Sequence, residues 1–135
     1  MAITGNEVQV QWNSGSNYYS ISASGNYTSD VANLNTAAFD GMIELKADND
    51  GTPASGDTVD FYIQYTSGDP DGSGSDEYDT DEHSIFLAQL DTNVEDPAIT
   101  HVPVNTAADH FQVYAVNNSS GRAITVSATM TEKRG

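Results

Sequence analysis

The residues best suited to chemistry lie in one run, Ser67–Glu82, where SGDPDGSGSDEYDTDE gathers seven carboxylates and four glycines or prolines. Asp69, Asp71 and Gly74 fall at the first, third and sixth places of a calcium loop, and calcium takes about six to eight oxygen ligands. The pattern then breaks. Ser73 holds the fifth place, Thr80 stands where a bidentate glutamate belongs, and strand-like sequence replaces the flanking helices. The run therefore reads as an exposed, self-repelling loop, with a non-EF cation site as the chemical alternative. Asp48, Asn49, Asp50 and Gly51 form a shorter cluster of the same kind, most simply a turn.

Paired carboxylates could also hydrolyse a glycosidic bond if an acid and a base or nucleophile were held on opposite sides of it. Most Asp and Glu residues here sit in turn sequence, which leaves Glu44 and Asp60, on strand faces, as the best-placed pair. Such chemistry depends on a preorganised site, which carboxylates alone do not make. His83, His101 and His110 form no ligand motif, although a β fold could gather some of them near Asp109 around zinc. Ser84 beside His83 is no nucleophile–base pair, because adjacent strand residues point to opposite faces. The expectation is a protein that is not an enzyme, with no catalytic residue, cofactor or metal assigned.

Among the aromatics, Trp12, Phe39, Phe61, Phe86 and Phe111 read as core, whereas Tyr18, Tyr62 and Tyr114 fall on the polar side of their segments. Exposed tyrosines stack on sugars or fill protein interfaces. Tyr18 and Tyr62 are therefore candidate contact residues, and Tyr62 would share an outward patch with Ser84–Leu90 if those two strands are neighbours. Asn26–Thr28 and Asn118–Ser120 match the N-x-Ser/Thr pattern and read as turns.

These side chains must be positioned by strands, because apolar residues recur with period two wherever they gather. Val8, Val10 and Trp12 share a face, as do Tyr19, Ile21 and Ala23, and Ile43, Leu45 and Ala47. Val59, Phe61, Ile63 and Tyr65 form the cleanest set, and Ser84–Leu90 is apolar on both faces. Ile99–Val104 carries Pro103, which lacks a ladder donor and suits an edge. Phe111, Val113 and Ala115 precede the turn Asn118–Gly121, and Ile124, Val126, Ala128 and Met130 follow it, which predicts a hairpin. Only Ser29–Ala38 offers a short helical turn. About eight strands joined by Gly, Asn, Asp, Ser and Pro turns predict an all-β fold: one antiparallel β-sandwich spanning residues 1–135, a jelly roll before an immunoglobulin-like arrangement. Val10, Trp12, Ile21, Leu45, Phe61, Ile63, Phe86, Val113 and Val126 should line its core.

The 135 residues carry 20 Asp and Glu against 4 Lys and Arg, a formal charge of −16 and a pI near 4.1. That balance disfavours nucleic acid and anionic membrane as partners. Cysteine is absent, so neither disulfides nor thiolate metal sites contribute. No apolar run approaches the roughly 20 residues that span a bilayer, and MAITGNEVQVQW lacks the features of a signal peptide, so synthesis in a cytoplasm is expected. Three of the four basic residues, Arg122, Lys133 and Arg134, fall in the last fourteen positions and could serve as a handle for an acidic neighbour.

MAITGNEVQVQW, the acidic interruption in VDFYIQYTSGDPDGSGSDEYDTDEH and the closing FQVYAVNNSSGRAITVSATM resemble the small decoration or cement proteins on the heads of tailed bacteriophages, especially jelly-roll types of marine and cyanobacterial phages. The resemblance implies a non-catalytic structural protein on the outer surface of the virion. It would be made in the host cytoplasm and bind the major capsid protein at subunit junctions as a dimer or trimer. A homo-oligomer of so acidic a chain should splay its loops at 67–82 into solvent and join through an apolar strand face or a terminal arm. Residues 1–7, with Ala2 and Ile3, are the candidate arm. The reading from another class is a carbohydrate-binding accessory domain or small phage fibre component, in which Tyr18 and Tyr62 stack on sugar rings.

Overall fold

A computed structural model describes residues 4–34, 38–68, 72–74, 77–78, 84–106 and 110–134. Eleven strands and no helix occur among them: β1 Thr4–Gln9, β2 Tyr19–Ile21, β3 Asn26–Thr28, β4 Ala32–Asn33, β5 Ala38–Asn49, β6 Thr58–Gly68, β7 Glu77–Tyr78, β8 Ile85–Asp91, β9 Ala98–Val104, β10 His110–Asn117 and β11 Ile124–Arg134. The three more than expected are the two- and three-residue pieces β3, β4 and β7. Within Ser29–Ala38, where alone the sequence offers a short helical turn, Ala32 and Asn33 form β4, which pairs with β10 through Phe111 and His110.

All pairings are antiparallel, and they build two packed sheets. In the first, β1 and β2 share one edge of β11, and β5 and β9 follow on its other side. In the second, β3 and β4 share one edge of β10, whose other edge pairs with β6; β7 and β8 lie beyond β6. The chain changes sheet between β2 and β3, at both ends of β5 and at each connection from β8 to β11, so contacts distant in sequence dominate. Among the described residues β9 pairs only with β5, and Pro103 accordingly lies on an edge strand.

The period-two pattern works as expected at nearly every position. Trp12, Phe61 and Phe111 are fully buried between the sheets, with Ile43, Leu45, Val113, Ile124 and Val126 around them. Tyr19 of the first sheet stacks on Tyr27 of the second, with centroids 3.8 Å apart and planes at 16°, and this closes one side of the sandwich. Near it, the carboxylate of Asp30 accepts the backbone N–H groups of Ser14 and Gly15, holding a turn in which Asn13 and Ser14 both have positive φ.

The hairpin expected around Asn118–Gly121 does not form, because β10 and β11 belong to different sheets. Both strands bury alternate residues against the same core, and alternation alone does not distinguish strands paired edge to edge from strands packed face to face. Asn117, 1% exposed, fixes this corner: its Nδ2 donates to the carbonyls of Ile21 at 3.0 Å and Arg122 at 2.9 Å, and its Oδ1 accepts the N–H of Ser119 at 2.8 Å.

Candidate functional site

The outer face of the second sheet carries three parallel rows of side chains. Strand register places Thr28, Tyr114, Tyr62 and Phe86 side by side on β3, β10, β6 and β8. The ring of Tyr62 meets Phe86 edge-on at 5.5 Å and Tyr114 at 5.8 Å, so three aromatic rings cross three adjacent strands. Two residues along, Gln112 Nε2 donates to Gln64 Oε1 at 2.7 Å, and Gln64 Nε2 donates to Ser84 Oγ at 2.9 Å. Two residues the other way, Asp60 accepts Gln89 Nε2 at 2.8 Å and Asn118 Nδ2 at 3.1 Å. The strand repeat sets these rows about 7 Å apart. An apolar band is thus bordered on one side by amides and on the other by a carboxylate whose hydrogen bonds hold it in place.

Phe86 reaches this row through a β-bulge. Phe61 pairs with Ala88 and Tyr62 with Phe86, so Leu87 is the extra residue and the facing of β8 changes phase there. The expectation that Phe86 lies in the core is therefore wrong: it is 54% exposed. Ile85, opposite Ile63 at the end of this edge strand, is also exposed.

Tyr62 occupies the centre of the row and is half-buried. Tyr18 lies on the far side of the molecule, 64% exposed, where it precedes β2 and borders a hollow over the first sheet, so the two tyrosines do not share a site. Ala2 and Ile3 are outside the described residues, as is most of the acidic run 67–82, including Asp69, Asp71 and Thr80. His83, Asp109 and the Phe39 side chain are likewise outside them.

Glu44 and Asp60 face outward from opposite sheets and cannot flank one glycosidic bond. His101 pairs with Glu44 at 3.1 Å and His110 with Asn33 at 2.6 Å, so these two histidines do not meet. Among the described residues no group of three His, Cys, Asp or Glu side chains is arranged to hold a metal. At 48–51, Asn49 Oδ1 accepts the N–H of Gly51 at 2.9 Å, as the turn reading requires. Arg122 does not join Lys133 in a basic handle. It sits before the opposite end of β11, its guanidinium 3.5 Å from the buried carboxylate of Asp57.

No protein-family model and no curated protein sequence matches this chain. Solved structures do match. A family 29 carbohydrate-binding module from Piromyces equi superposes over 100% of this chain and 93% of its own, with TM-score 0.53 and 10% identity. The Clostridium thermocellum xylanase 10B fragment of a family 22 carbohydrate-binding module and a GH10 module, complexed with xylohexaose, matches with TM-score 0.50 and 9% identity. That match covers 97% of this chain and 25% of the fragment. At such identities the likeness defines the fold, an antiparallel jelly-roll β-sandwich shared with these modules.

Proposed function

We propose that the chain is a non-catalytic carbohydrate-binding module whose site is the row Phe86–Tyr62–Tyr114. The observation that carries this reading is the alignment of three aromatic rings across three strands, with hydrogen-bonding side chains on both borders. A pyranose ring has apolar C–H faces and hydroxyls around its rim. The band takes the faces by stacking, and Gln112, Gln89 and Asp60 lie where rim hydroxyls need donors and acceptors, while Gln64, buried beside them, holds the Gln112 amide in place. The jelly-roll likeness to carbohydrate-binding modules supports the same class. Affinity electrophoresis through gels containing xylan, β-glucan or mannan tests it. Retardation of the wild-type chain, clearly reduced in the double variant Tyr62→Ala/Tyr114→Ala, is the expected result, and equal mobility of the two proteins in every gel would overturn it.

A second reading keeps the capsid-decoration role that the sequence resemblance implies, with oligomerisation and attachment to a major capsid protein. Ile85 and Phe86 favour it, because two apolar side chains more than half exposed at the end of an edge strand suit a protein surface better than a sugar. Co-sedimentation with expanded phage heads separates the two, since a glycan module stays in the supernatant.

A further inference from the structure

The outer face of the opposite sheet is grooved. Two hollows of about 420 and 700 Å³ lie on the outer face of the sheet built on β11, and Gln9 and Thr129 line both, so they form one trough. Its floor is a comb of short side chains on the central strand, Thr125, Ser127, Thr129 and Thr131. From Thr125 to Lys133 it runs eight residues, about 27 Å at the antiparallel strand rise. Longer side chains from the flanking strands form the walls, among them Gln9, Met42, Lys46 and His101, and the exposed ring of Tyr18 stands at one end.

Charge in the trough is mixed. Lys46 and Lys133 supply two of the four Lys and Arg side chains in the sequence, and neither makes an ion pair among the described residues. Glu7, Asp40, Glu44 and Asp48 offset them. Ammonium groups only donate, carboxylates only accept, and glutamine and threonine do both. A free anion or cation would meet an opposing charge along such a surface. A neutral polyhydroxylated chain can satisfy both kinds of group, and Tyr18 offers it a stacking face.

The geometry points to a second binding site for a neutral oligosaccharide along this trough. The inference rests on the proposed function for the other face and extends it. The two sites lie on the outer faces of packed sheets and point in opposite directions, so one glycan chain cannot run through both. The protein would bridge two glycan chains, and each attachment would raise the effective concentration for the other in a polysaccharide network.

Calorimetric titration of the full chain with xylohexaose, cellohexaose and mannohexaose tests this, using Tyr18→Ala, Ser127→Arg and Tyr62→Ala. Two equivalents bound per chain are expected. Tyr18→Ala should weaken the trough site by about tenfold, Ser127→Arg should remove it by filling the floor, and Tyr62→Ala should impair only the other site. One equivalent, sensitive to Tyr62→Ala and indifferent to both trough variants, would overturn the second site and leave the proposed function standing. One equivalent lost in Ser127→Arg and retained in Tyr62→Ala would overturn the aromatic-row site and support the trough. No heat with any of the three sugars would overturn both. Should Ser127→Arg fail to fold, Tyr18→Ala keeps the distinction, because its side chain projects into solvent.

Discussion

The hydroxyl of Ser119 donates to Asp57 Oδ1 at 2.7 Å, joining two residues 62 positions apart at the end of the sandwich where the chain crosses between sheets. Asp57 is 2% exposed. Its other oxygen accepts Asn49 Nδ2 at 3.1 Å and the N–H of Ala54 at 3.0 Å, and Arg122 approaches the same oxygen at 3.5 Å. Asn49 Nδ2 also donates to Thr92 Oγ1, and the Thr92 hydroxyl donates to the carbonyl of Asp57. Asp57 therefore ties together β5, the connection into β6 and the corner before β11 through its carboxylate, and the turn after β8 through its main-chain carbonyl.

This arrangement makes stability depend on pH in a stated direction. Burial pushes the Asp57 carboxyl up. The hydrogen bonds from Ser119, Ala54 and Asn49 and the charge of Arg122 together outweigh burial and hold it below 3.8. The unfolded chain thus binds this proton more tightly than the folded one. The stabilisation is fully present above the unfolded value and is lost as pH falls through the folded one. Thermal melts should show no contribution from Asp57 to pH dependence between about pH 6 and 7, and a falling midpoint below about pH 4. In Asp57→Asn the acid-side fall should become shallower, and a fall as steep as in wild type would sink this assignment.

Asn117 performs the neighbouring task with a neutral side chain, and its removal tests the corner directly. Asn117→Ala would strand the carbonyls of Ile21 and Arg122 and the N–H of Ser119 in a buried site, at a cost of about 2–3 kcal/mol. Urea unfolding should show a lower midpoint with an unchanged slope. Phe61→Ala, at the centre of the core, should cost about 3–5 kcal/mol by lost burial and cavity formation. If the corner variant instead melted with wild type, the change of sheet between β10 and β11 would not depend on these hydrogen bonds.

Much of this architecture was legible in the sequence because burial on one face writes itself as alternation. Val59–Ile63 and Phe111–Ala115 are buried in the phase that their apolar residues spell out, and the phase breaks only at Gln64, which is buried, and Tyr65, which is partly so. Two features were not legible, for different physical reasons. Pairing partners are a long-range property, so the residues around Asn118–Gly121 read as a hairpin although they cross between layers. The bulge at Leu87 was hidden because Ile85, Phe86 and Leu87 are all apolar, which leaves no polar residue to mark the change of phase. Tyr62 was found by its outward parity. Gln64 and Gln112 had the same parity, but polar residues in outward positions are ordinary until the register sets them beside a row of rings.

The net charge of −16 gives a prediction that does not depend on any one side chain. Self-repulsion of so many carboxylates opposes the compact state, and salt screens it over a distance of about 10 Å at 0.1 M. The melting midpoint should rise as sodium chloride increases from about 10 to 200 mM, a range over which the Debye length falls severalfold. A midpoint that is flat or falls would mean that the charges are already compensated in the folded protein.

The bulge supplies the last test, because it sets which face Phe86 occupies. In the intact chain, removing the bulge while keeping Ala88 opposite Phe61 would bring Leu87 opposite Tyr62 and turn Phe86 toward the core side. Deleting Leu87 has the reverse result: a regular ladder running from Ala88 directly to Phe86 still sets Phe86 opposite Tyr62. The ring row should then survive, and polysaccharide retardation in the gel should match that of the unaltered chain. Stability should fall only by the packing that Leu87, partly buried against the core, contributes, about 1–2 kcal/mol. Replacing Phe86 by Ala should act in the opposite sense, weakening glycan binding while leaving the melting midpoint nearly unchanged, because an exposed ring contributes little to the core. If deletion of Leu87 weakened retardation as much as Phe86→Ala in a protein that still melted cooperatively, the register of β8 against β6 would be wrong, and Phe86 would leave the proposed site.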